Sequence, residues 1–453
     1  MAIIGSGGDF MVSIWNENSV CSKKDGISGE YNTDVLIIGG GMCGLLCAHA
    51  LQNAGVDYIL LEGEGICQKT TQNTTAKITC QHGFIYSKLI REFNADFARL
   101  YLKANEEAIN AYAELCKNID CDFERRNSYV YTLNDGDSLF KELKALDRIG
   151  YDAVLEKDLT LPFKTQGAVK FENQAQFNPI KFANEISKSL NVYENSHVRE
   201  LVSVKGKNGS YIIAKTSDAK IRAKKVIIAT HFPIINKHGL FFMKMFQERS
   251  YVIALKGAQD MDGMYIDGSG KGLSFRNYGE YLLLGGGAHR TGKKGGAWKE
   301  LEDVAEELYP DAKITYKWAT QDCMTLDGVP YIGQYSPSTP NLFVATGFNK
   351  WGMTSSMVAS RILCDLVCEK PNEYEKIFSP SRSILRPQLA INALEALGGW
   401  LTLSGKRCPH LGCALKWNKY EHSWDCPCHG SRFKSDGSVL DNPANGSLKK
   451  PLD

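Results

Sequence analysis

The chain has 453 residues, enough for roughly three domains, and its 53 Lys and Arg residues nearly balance its 51 Asp and Glu residues. The net charge of +2, with no run of five or more like charges, argues against nucleic acid and against an anionic membrane as partners. Because no apolar run approaches the roughly 20 residues of a membrane span, and the N-terminus lacks the features of a signal peptide, we expect a cytoplasmic protein without a transmembrane segment.

Residues 1–30 read as an N-terminal extension, in which the glycine-rich residues 1–10 form a tail without function. Ten of the 14 cysteines are scattered along the chain, which is typical of a reducing compartment. The other four lie between positions 408 and 428. This uneven distribution indicates a separate role for the C-terminus.

A dinucleotide-binding motif follows the extension. Residues 34–62 predict a buried strand, a glycine-rich turn, a helix and a second strand. Gly39, Gly41 and Gly44 have the G-x-G-x-x-G spacing, which allows a tight turn, close approach of a pyrophosphate and close packing of helix on strand, respectively. Glu62 ends the second strand, where a carboxylate can bind an adenosine ribose.

Two later strands bear on the choice between FAD and NAD. Residues 225–233 form an apolar strand that runs into Ala-Thr at Thr230, and residues 341–363 form a second such strand followed by a helix. Together with the glycine-rich turn and segment 70–83, these motifs resemble the FAD-dependent D-amino acid oxidase and glycine oxidase superfamily over about residues 31–370. The resemblance implies FAD, with Thr230 among the residues that bind it.

The segment after Glu62 wraps the flavin in that superfamily. The resemblance therefore implies a flavin cradle formed by Thr74, Thr75, Ala76 and Lys77. Because Asn73 stands where some relatives carry a covalently attached histidine, we expect FAD to be bound non-covalently. A polar surface loop is the alternative for residues 70–83, since threonine is common in loops.

The last strand of the motif implies a second contact with the flavin. Gly347 and Gly352 match the turn at which a helix N-terminus faces the pyrimidine edge of the flavin. The partial positive charge of such a helix end stabilises an anionic reduced flavin.

The implied fold class is α/β (α+β): a two-domain, Rossmann-type FAD-binding flavoprotein with an interleaved β-sheet substrate domain, plus a small all-β module at the C-terminus. We expect the nucleotide-binding segments at about residues 31–120, 190–235 and 320–370. The substrate-domain segments are expected at about residues 121–189 and 236–319.

The candidate catalytic residues rest on position alone. His82 follows the cradle, Arg290 and His289 follow an apolar strand, and Lys350 and Trp351 lie at the final turn. For the last four, an ordinary exposed base or core aromatic is an equal alternative. No general base is assigned, because an amine can give hydride to a flavin while the protein supplies orientation and electrostatics.

Residues 408–431 carry the ligands of a metal centre. Cys408-x-His410 and Cys426-x-x-His429 supply two thiolates and two imidazoles, a set that can bind zinc. Zinc leaves two further cysteines unexplained, and the pattern is similar to Rieske 2Fe-2S proteins, in which histidine replaces cysteine on one iron. Structural zinc stays the alternative.

The Rieske resemblance implies roles for six residues: Cys408 and Cys426 bind one iron, His410 and His429 bind the other, and Cys413 pairs with Cys428 in a disulfide. A disulfide is unusual in the cytosol.

Two features depart from the Rieske pattern. Respiratory members place a serine and a tyrosine after the second histidine as hydrogen-bond donors to the cluster; here Ser431 is present, but Phe433 replaces the tyrosine, so we expect a lower reduction potential. The module, at residues 401–453, is also short, although residues 441–448 resemble the third, proline-bearing loop. After a linker at residues 371–400, we expect it to pack on the flavoprotein body.

Together these parts predict a dehydrogenase, because a flavin that gave both electrons to O2 would need no cluster. We expect an FAD-dependent enzyme that oxidises the C–N bond of an amino acid or secondary amine and passes electrons through the cluster to an external acceptor protein or a quinone. A hydroxy-acid or glycerol-phosphate dehydrogenase of the same fold is one alternative. A redox sensor or electron carrier without its own substrate is another, and a flavoprotein stapled by zinc is the third.

Overall fold

The computed structural model describes residues 12–16, 21–206, 209–236, 238–270, 272–403 and 405–448. The predicted tail at residues 1–10 lies outside the described residues, as do the last five residues of the chain.

The described helices are α1 Met42–Asn53, α2 Ile85–Glu92, α3 Ala95–Cys116, α4 Gly136–Arg148, α5 Pro179–Ser187, α6 Phe241–Lys244, α7 Trp298–Leu308, α8 Gly352–Val367, α9 Glu375–Phe378 and α10 Pro387–Leu401. The described strands are β1 Gly29–Ile38, β2 Tyr58–Leu61, β3 Lys77–Ile78, β4 Glu124–Thr132, β5 Val154–Glu156, β6 Gly167–Gln176, β7 Val192–Tyr193, β8 Glu200–Gly206, β9 Gly209–Lys215, β10 Ala219–Ile228, β11 Met245–Lys256, β12 Met264–Asp267, β13 Ser274–Tyr278, β14 Tyr281–Arg290, β15 Lys313–Thr325, β16 Tyr331–Gln334, β17 Leu342–Thr346, β18 Lys416–Asn418, β19 Ser423–Asp425, β20 Arg432–Lys434 and β21 Val439–Asp441.

The first sheet collects strands from three separate stretches of chain. Its order is β16-β17-β10-β1-β2-β7, with β8 and β9 extending from β10. The contacts of β1 with β2 and β10, and of β10 with β17, are parallel. The end of β1 from Val35 to Ile38 is largely buried, as parallel strands covered on both faces require. The carboxyl ends of the four parallel strands β1, β2, β10 and β17 therefore lie at the same edge of the sheet.

The second sheet is mostly antiparallel, in the order β15-β11-β14-β13-β12-β4-β6-β3, with β5 beside β6. The two-residue strand β3 comes from the predicted cradle, so the cradle links the two sheets. Strand β15 belongs to this sheet as far as Thr325. Its last residues, from position 320 onward, were expected in the nucleotide-binding part instead.

The C-terminal module is a four-stranded antiparallel sheet of three-residue strands, β18 to β21. Its small core consists of Phe433, Leu415 and Ala444 together with four cysteines. Strands this short bury little apolar surface, so the module depends on the body on which it packs. The architecture confirms the predicted fold class of a mixed α/β body with a small all-β module.

Within the described ranges, none of the helices combines the length and hydropathy that a membrane span requires.

Candidate functional site

A cavity of about 870 Å³ is lined by residues of both large sheets. Its walls include the glycine-rich turn, Glu62, the predicted cradle, the start of α8 and parts of β11 and β15. Residues between Val439 and Asn445 of the C-terminal module close part of the wall. The volume lies in the range of cofactor sites in enzymes.

Two glycines of the turn between β1 and α1 leave no room for a side chain. Gly39 has φ 110°, and a Cβ there would lie 2.6 Å from the carbonyl oxygen of Ala229. A Cβ on Gly44 would lie 1.8 Å from the oxygen of Gly39. Gly41 precedes the first turn of α1 and lines the cavity, so the helix N-terminus faces the cavity, as a pyrophosphate site requires.

Glu62 lies at the end of β2 and lines the same cavity. Its carboxylate accepts hydrogen bonds from the backbone N–H groups of Gly40 (2.6 Å) and Glu64 (2.9 Å). Burial raises the pKa of Glu62, and these two bonds oppose the shift. The carboxylate is therefore held in place beside the glycine-rich turn.

Three buried side chains, Trp15, Trp318 and Arg276, hold the backbone of the cradle. They donate hydrogen bonds to the carbonyl oxygens of Thr74 (2.7 Å), Thr75 (2.6 Å) and Ala76 (2.9 Å) in the cradle and of Asn73 (3.0 Å) just before it. Burial, reinforced by the charge of Arg276, lowers the pKa of Lys77 to about 7. Residues 76–82 are buried, so this part of segment 70–83 is not the polar surface loop that was the alternative.

The final turn before α8 is built from left-handed backbone. Gly347 has φ 70°, and a Cβ there would lie 2.3 Å from Cγ2 of Thr325. Asn349 and Lys350 also have positive φ, at 51° and 73°. The turn delivers Gly352, the first residue of α8, to the cavity wall, so a second helix N-terminus faces the cavity.

A pair of carboxylates lines the cavity on the second sheet. Glu248 and Asp322 face each other in the register of β11 and β15. The ammonium of Lys350 lies 3.0 Å from Glu248. Burial raises the pKa of Asp322 to about 6, against the opposing charge of Lys350, and no described residue bonds to its carboxylate. Sequence reasoning missed both acids, because only the strand register reveals that they share a face.

Three polar atoms in the cavity wall are buried and have no hydrogen-bond partner among the described residues: Oγ of Ser250, Oγ1 of Thr320 and Nε2 of His231. Buried polar atoms in folded proteins nearly always have partners. These three atoms therefore fit a polar ligand in the cavity, as a flavin dinucleotide would be.

His82 lines the cavity, but its ring is fully engaged. Its Nδ1 lies 2.6 Å from the hydroxyl of Tyr101, and its Nε2 lies 2.8 Å from the carbonyl oxygen of Thr79. The ring stacks on Trp351 at 4.7 Å between centroids. Burial lowers the pKa of His82 to about 3, so the imidazole is neutral. This environment positions Trp351, and the catalytic role of His82 stays a prediction.

Arg290 points toward the C-terminal module. Its guanidinium donates to the carbonyl oxygens of Pro427 (3.1 Å) and Cys428 (2.9 Å) and to Oδ1 of Asn392 (2.9 Å). These bonds hold the guanidinium against the module, and a catalytic role of Arg290 stays a prediction. Lys350, in contrast, lines the cavity as the prediction required.

The predicted metal ligands meet in the module. Cys408, Cys426 and His429 are buried, and the rings of His410 and His429 lie 5.1 Å apart. Nδ1 of His429 is buried and has no hydrogen-bond partner among the described residues, as a ligand nitrogen without its metal would be. Two thiols and two imidazoles within one small module fit the donor set of a Rieske cluster.

The predicted disulfide is not supported. Cys413 and Cys428 are free thiols, although their sulfurs and that of Cys426 all lie within 4.8 Å of one another. Burial of all three side chains in one small core brings the thiols together without a bond. The correction removes a covalent tie from the expected module.

Two glutamines of the body hold the loop that carries His429. Gln247 of β11 donates to the carbonyl oxygens of His429 (2.9 Å) and Asn442 (2.8 Å), and Gln321 of β15 donates to that of Gly430 (2.9 Å). Because side chains alternate along a strand, these glutamines lie on the face opposite to Glu248 and Asp322. One sheet thus separates the cavity from the second histidine loop.

Buried charge reinforces the contact. Arg249 of β11 forms an ion pair with Glu421 of the module, and both side chains are buried. Burial alone would raise the pKa of Glu421, but the charges of Arg249 and Arg432 outweigh it and lower the pKa to about 2. On the other side of the cluster site, Nε2 of His410 lies 2.6 Å from Oδ1 of Asn236. Sequence reasoning missed these contacts, which arise only from the docked arrangement.

Comparison with known families agrees with this geometry. Residues 34–366 match the family model of the FAD dependent oxidoreductases (DAO), and residues 381–451 match the Rieske [2Fe-2S] domain. The chain belongs to the FAD-dependent oxidoreductase family. It carries a Rieske domain at its C-terminus, and its cofactors are FAD and a Rieske 2Fe-2S cluster.

Known proteins resemble either nearly the whole chain or most of it. The chain is 34% identical to the putative Rieske 2Fe-2S iron-sulfur protein YhfW of Bacillus subtilis, over 96% of each chain. Among solved structures, glycine oxidase from Geobacillus kaustophilus has a TM-score of 0.65 and 19% identity, over 78% of this chain and 99% of that one. L-proline dehydrogenase from P. horikoshii has a TM-score of 0.66 and 15% identity, over 78% and 98%. These likenesses to solved structures establish the fold of the FAD-dependent oxidoreductase body.

Proposed function

We propose that this protein is an FAD-dependent dehydrogenase that oxidises the C–N bond of an amino acid or secondary amine, and that its electrons leave through the Rieske module to an external acceptor. Bound FAD takes up a hydride, whereas a Rieske cluster carries one electron at a time. The observation that carries the proposal is the position of the module, whose third loop forms part of the cavity wall. An oxidase that gave its electrons to O2 would have no use for this arrangement.

The positions of the two histidines of the cluster site support the same direction of electron transfer, from the flavin to the cluster. His429 is buried against the body, and its loop is held by Gln247 and Gln321. His410 is bonded to Asn236 of the body. A cluster held by Cys408, His410, Cys426 and His429 would therefore present its histidines to the flavoprotein. That edge suits the receipt of electrons from within the chain.

Residues along the cavity would hold FAD non-covalently. The turn at Gly39, Gly41 and Gly44 suits the pyrophosphate, and Glu62 suits the ribose. The cradle at Thr74, Thr75, Ala76 and Lys77, with Thr230 and the turn from Gly347 to Gly352, suits the flavin.

Asp322 is the residue we expect to bind the substrate ammonium and to accept a proton from it. Its carboxylate lines the cavity without a hydrogen bond from any described residue, and its raised pKa of about 6 lies close to neutral pH. Lys350 cannot offer a full positive charge to an anionic substrate, because Glu248 pairs with it. This charge pattern favours an amine over a hydroxy acid or a glycerol phosphate.

An anaerobic substrate screen tests the proposal. The oxidised holoprotein is mixed with amino acids, secondary amines, hydroxy acids and glycerol phosphate, and bleaching of the flavin absorbance is recorded. We expect bleaching by an amine, followed by reoxidation that is faster with a quinone or ferricyanide than with O2. A flavin that is bleached by no compound would identify an electron carrier without a substrate, and fast reoxidation by O2 would identify an oxidase.

The screen is repeated with two variants to test the role of the cavity acid. Asp322→Asn should slow bleaching by the amine. Asp303→Asn, which changes an exposed acid on α7 paired with Lys299, should leave it unchanged. Equal rates in both variants would remove Asp322 from the proposed site.

A further inference from the structure

Helix α10 precedes the Rieske module, and its polarity is inverted. Its polar side chains Gln388, Asn392 and Glu395 recur at helical spacing on the side that contacts the protein. Asn392 accepts a hydrogen bond from Arg290 and donates one to the carbonyl oxygen of Met243. The usual amphipathic helix of a folded protein has the opposite arrangement, with the polar side in solvent.

The apolar side chains of α10 face outward. Ile391, Leu394, Leu397 and Leu401 follow one another at intervals of three or four residues, and their exposed fractions are 48%, 68%, 49% and 76%. Leu403, just after the helix, is 99% exposed. We call this set of five residues the α10 face. A contiguous exposed apolar stripe of this kind marks an interaction surface.

The stretch of sequence that contains the α10 face is basic. Between positions 383 and 419 the sequence has one acidic residue, Glu395, and five basic ones: Arg386, Lys406, Arg407, Lys416 and Lys419. Lys293 of the body pairs with Glu395 at 2.6 Å. The segment that carries the apolar stripe therefore has a positive excess that the overall net charge of +2 does not reveal, although Arg386 pairs with Glu92 at 3.5 Å. Exposed aromatic rings, Trp400 and Trp417, lie in the same segment.

We propose that the α10 face docks on an anionic phospholipid bilayer, with the helix lying flat in the headgroup region. Leucines on one side, tryptophan at the helix end and nearby lysines and arginines are the chemistry by which interfacial helices bind such surfaces. The net charge and the absence of like-charge runs argue against an anionic membrane, but neither reflects an exposed apolar helix face.

The dimensions of the helix favour a bilayer over a second copy of the chain. A helix of 15 residues is about 22 Å long, so its exposed side offers on the order of a few hundred Å², whereas a stable dimer buries about 800 Å² per partner. Within α10 the exposed side also has no charged group that would orient a protein partner.

Docking would bring the cluster site to the membrane. Gly399 of α10 packs so closely on the module that a Cβ there would lie 2.5 Å from Sγ of Cys428. The indole N–H of Trp400 donates to the carbonyl oxygen of Leu411, next to the first ligand loop. A lipid-soluble quinone then becomes the external acceptor. This last assignment rests on the proposed function, whereas membrane docking does not.

The test is flotation of the FAD- and cluster-loaded protein with vesicles of phosphatidylcholine alone or of phosphatidylcholine with phosphatidylglycerol. We expect the protein to float with the anionic vesicles and to bind neutral ones more weakly. The triple variant Leu394→Gln, Leu397→Gln and Leu401→Gln should bind at least about tenfold more weakly, because burial of each leucine contributes to the affinity. The flavin absorbance and cluster spectrum of the variant establish that it is folded.

A matched triple variant changes exposed apolar residues elsewhere: Leu133→Gln, Phe140→Gln and Val154→Gln. It should float like the wild type. Failure of the wild type to float, or equal flotation of the two triple variants, would overturn the proposal. A dimer in light scattering that becomes a monomer in the Leu394, Leu397 and Leu401 variant, without flotation of the wild type, would assign the face to a second copy. Because no substrate is added, these results are independent of the proposed reaction.

Discussion

Phe433 is buried completely among the cysteines of the Rieske module, at the position where respiratory members are expected to place a tyrosine. An aromatic ring at this point fills the small core but gives no hydrogen bond to the cluster. Ser431 is also buried, and its hydroxyl accepts a hydrogen bond from the backbone N–H of Ala444 at 3.1 Å. The side chain at position 433 therefore controls how many donors face the cluster.

Phe433→Tyr should raise the reduction potential of the cluster. One added hydrogen bond contributes roughly 0.5–1.5 kcal/mol, which equals about 20–60 mV for a one-electron couple, and it favours the more negative, reduced cluster. Redox titration followed by electron paramagnetic resonance measures the shift. Ser431→Ala should shift the potential in the opposite direction, and an unchanged or lowered potential in Phe433→Tyr would refute the assignment.

Asp322 gives a prediction for pH. Since its pKa is about 6, the carboxylate is ionised above that pH and takes up a proton below it. If the carboxylate accepts the proton of the substrate ammonium, the rate of flavin reduction at limiting substrate falls as the pH drops through about 6. Asp322→Asn should lower the rate about 100-fold and abolish this acid limb. Rapid-mixing kinetics across pH 5 to about 8 measure both effects, and a limb that persists in the variant would assign it to another group.

Strand β11 contacts both the cavity and the Rieske module, because its side chains alternate between the two faces of the second sheet. Glu248 and Ser250 line the cavity, whereas Gln247 and Arg249 bond to the Rieske module. The strand is therefore one structural connection between the two cofactor sites. A change on one face of β11 can leave the other face intact, which makes the docking contact testable on its own.

Arg249→Met should weaken the contact between the Rieske module and the body but leave the residues that line the cavity unchanged. Breaking a buried ion pair costs about 3–5 kcal/mol, because Glu421 keeps its charge in a buried site with one partner fewer. We expect a lower unfolding temperature and faster proteolysis between residues 402 and 407. Unchanged thermal stability would show that the pair contributes little. The exposed pair of Lys299 and Asp303 provides the control, since Lys299→Met should have almost no effect.

The ion pair of Arg249 and Glu421 determines whether the stability of the protein rises or falls as the pH is lowered. The pKa of Glu421 is about 2 in the folded protein, well below the value of about 4.3 in an unfolded chain. Its stabilising contribution is therefore complete above about pH 4 and is lost as the pH falls toward 2. In Arg249→Met the pKa of Glu421 is less depressed, so this loss should be smaller and should be complete at a higher pH. Unfolding titrations between pH 2 and about 5 measure the difference.

Elements defined by local sequence were predictable. The turn at Gly39 and Gly44 leaves room for no side chain, and the Rieske ligands have fixed spacing, so both motifs are visible in the sequence. The contact of Arg290 with the Rieske module was not predictable, because only the tertiary structure shows that its strand end faces the module. The thiols of Cys413 and Cys428 are close but not bonded, a distinction that spacing does not contain. Helix α10 has a helical pattern, but no pattern tells which side faces solvent.

At the scale of the whole molecule, three sheets place two cofactor sites next to each other. The first two sheets enclose the cavity, and the small third sheet packs on the outer face of the second. The third loop of the module reaches the cavity wall, where Asn442 donates to the carbonyl oxygen of Thr230. The short module gains stability from this contact, and the contact lies on the path that we propose for electrons leaving the body.

Removal of the cluster should stop electron transfer to the external acceptor but should not stop reduction of the flavin by the amine. Cys426→Ser removes a proposed iron ligand, and we expect loss of the cluster while FAD remains bound. Flavin reduction by an amine should continue at a similar rate, whereas turnover with an external acceptor should fall at least about tenfold. Iron analysis and steady-state assays measure this. Full turnover in the variant would mean that the flavin serves the acceptor directly.

The most direct test of the account is the electron paramagnetic resonance spectrum of the oxidised holoprotein after anaerobic addition of an amine that bleaches its flavin. We predict that a rhombic signal with the low average g value of a histidine-ligated cluster appears together with the bleaching. A fully bleached flavin beside a cluster that stays oxidised, although dithionite reduces it, would contradict the transfer of electrons from the flavin site to the Rieske module.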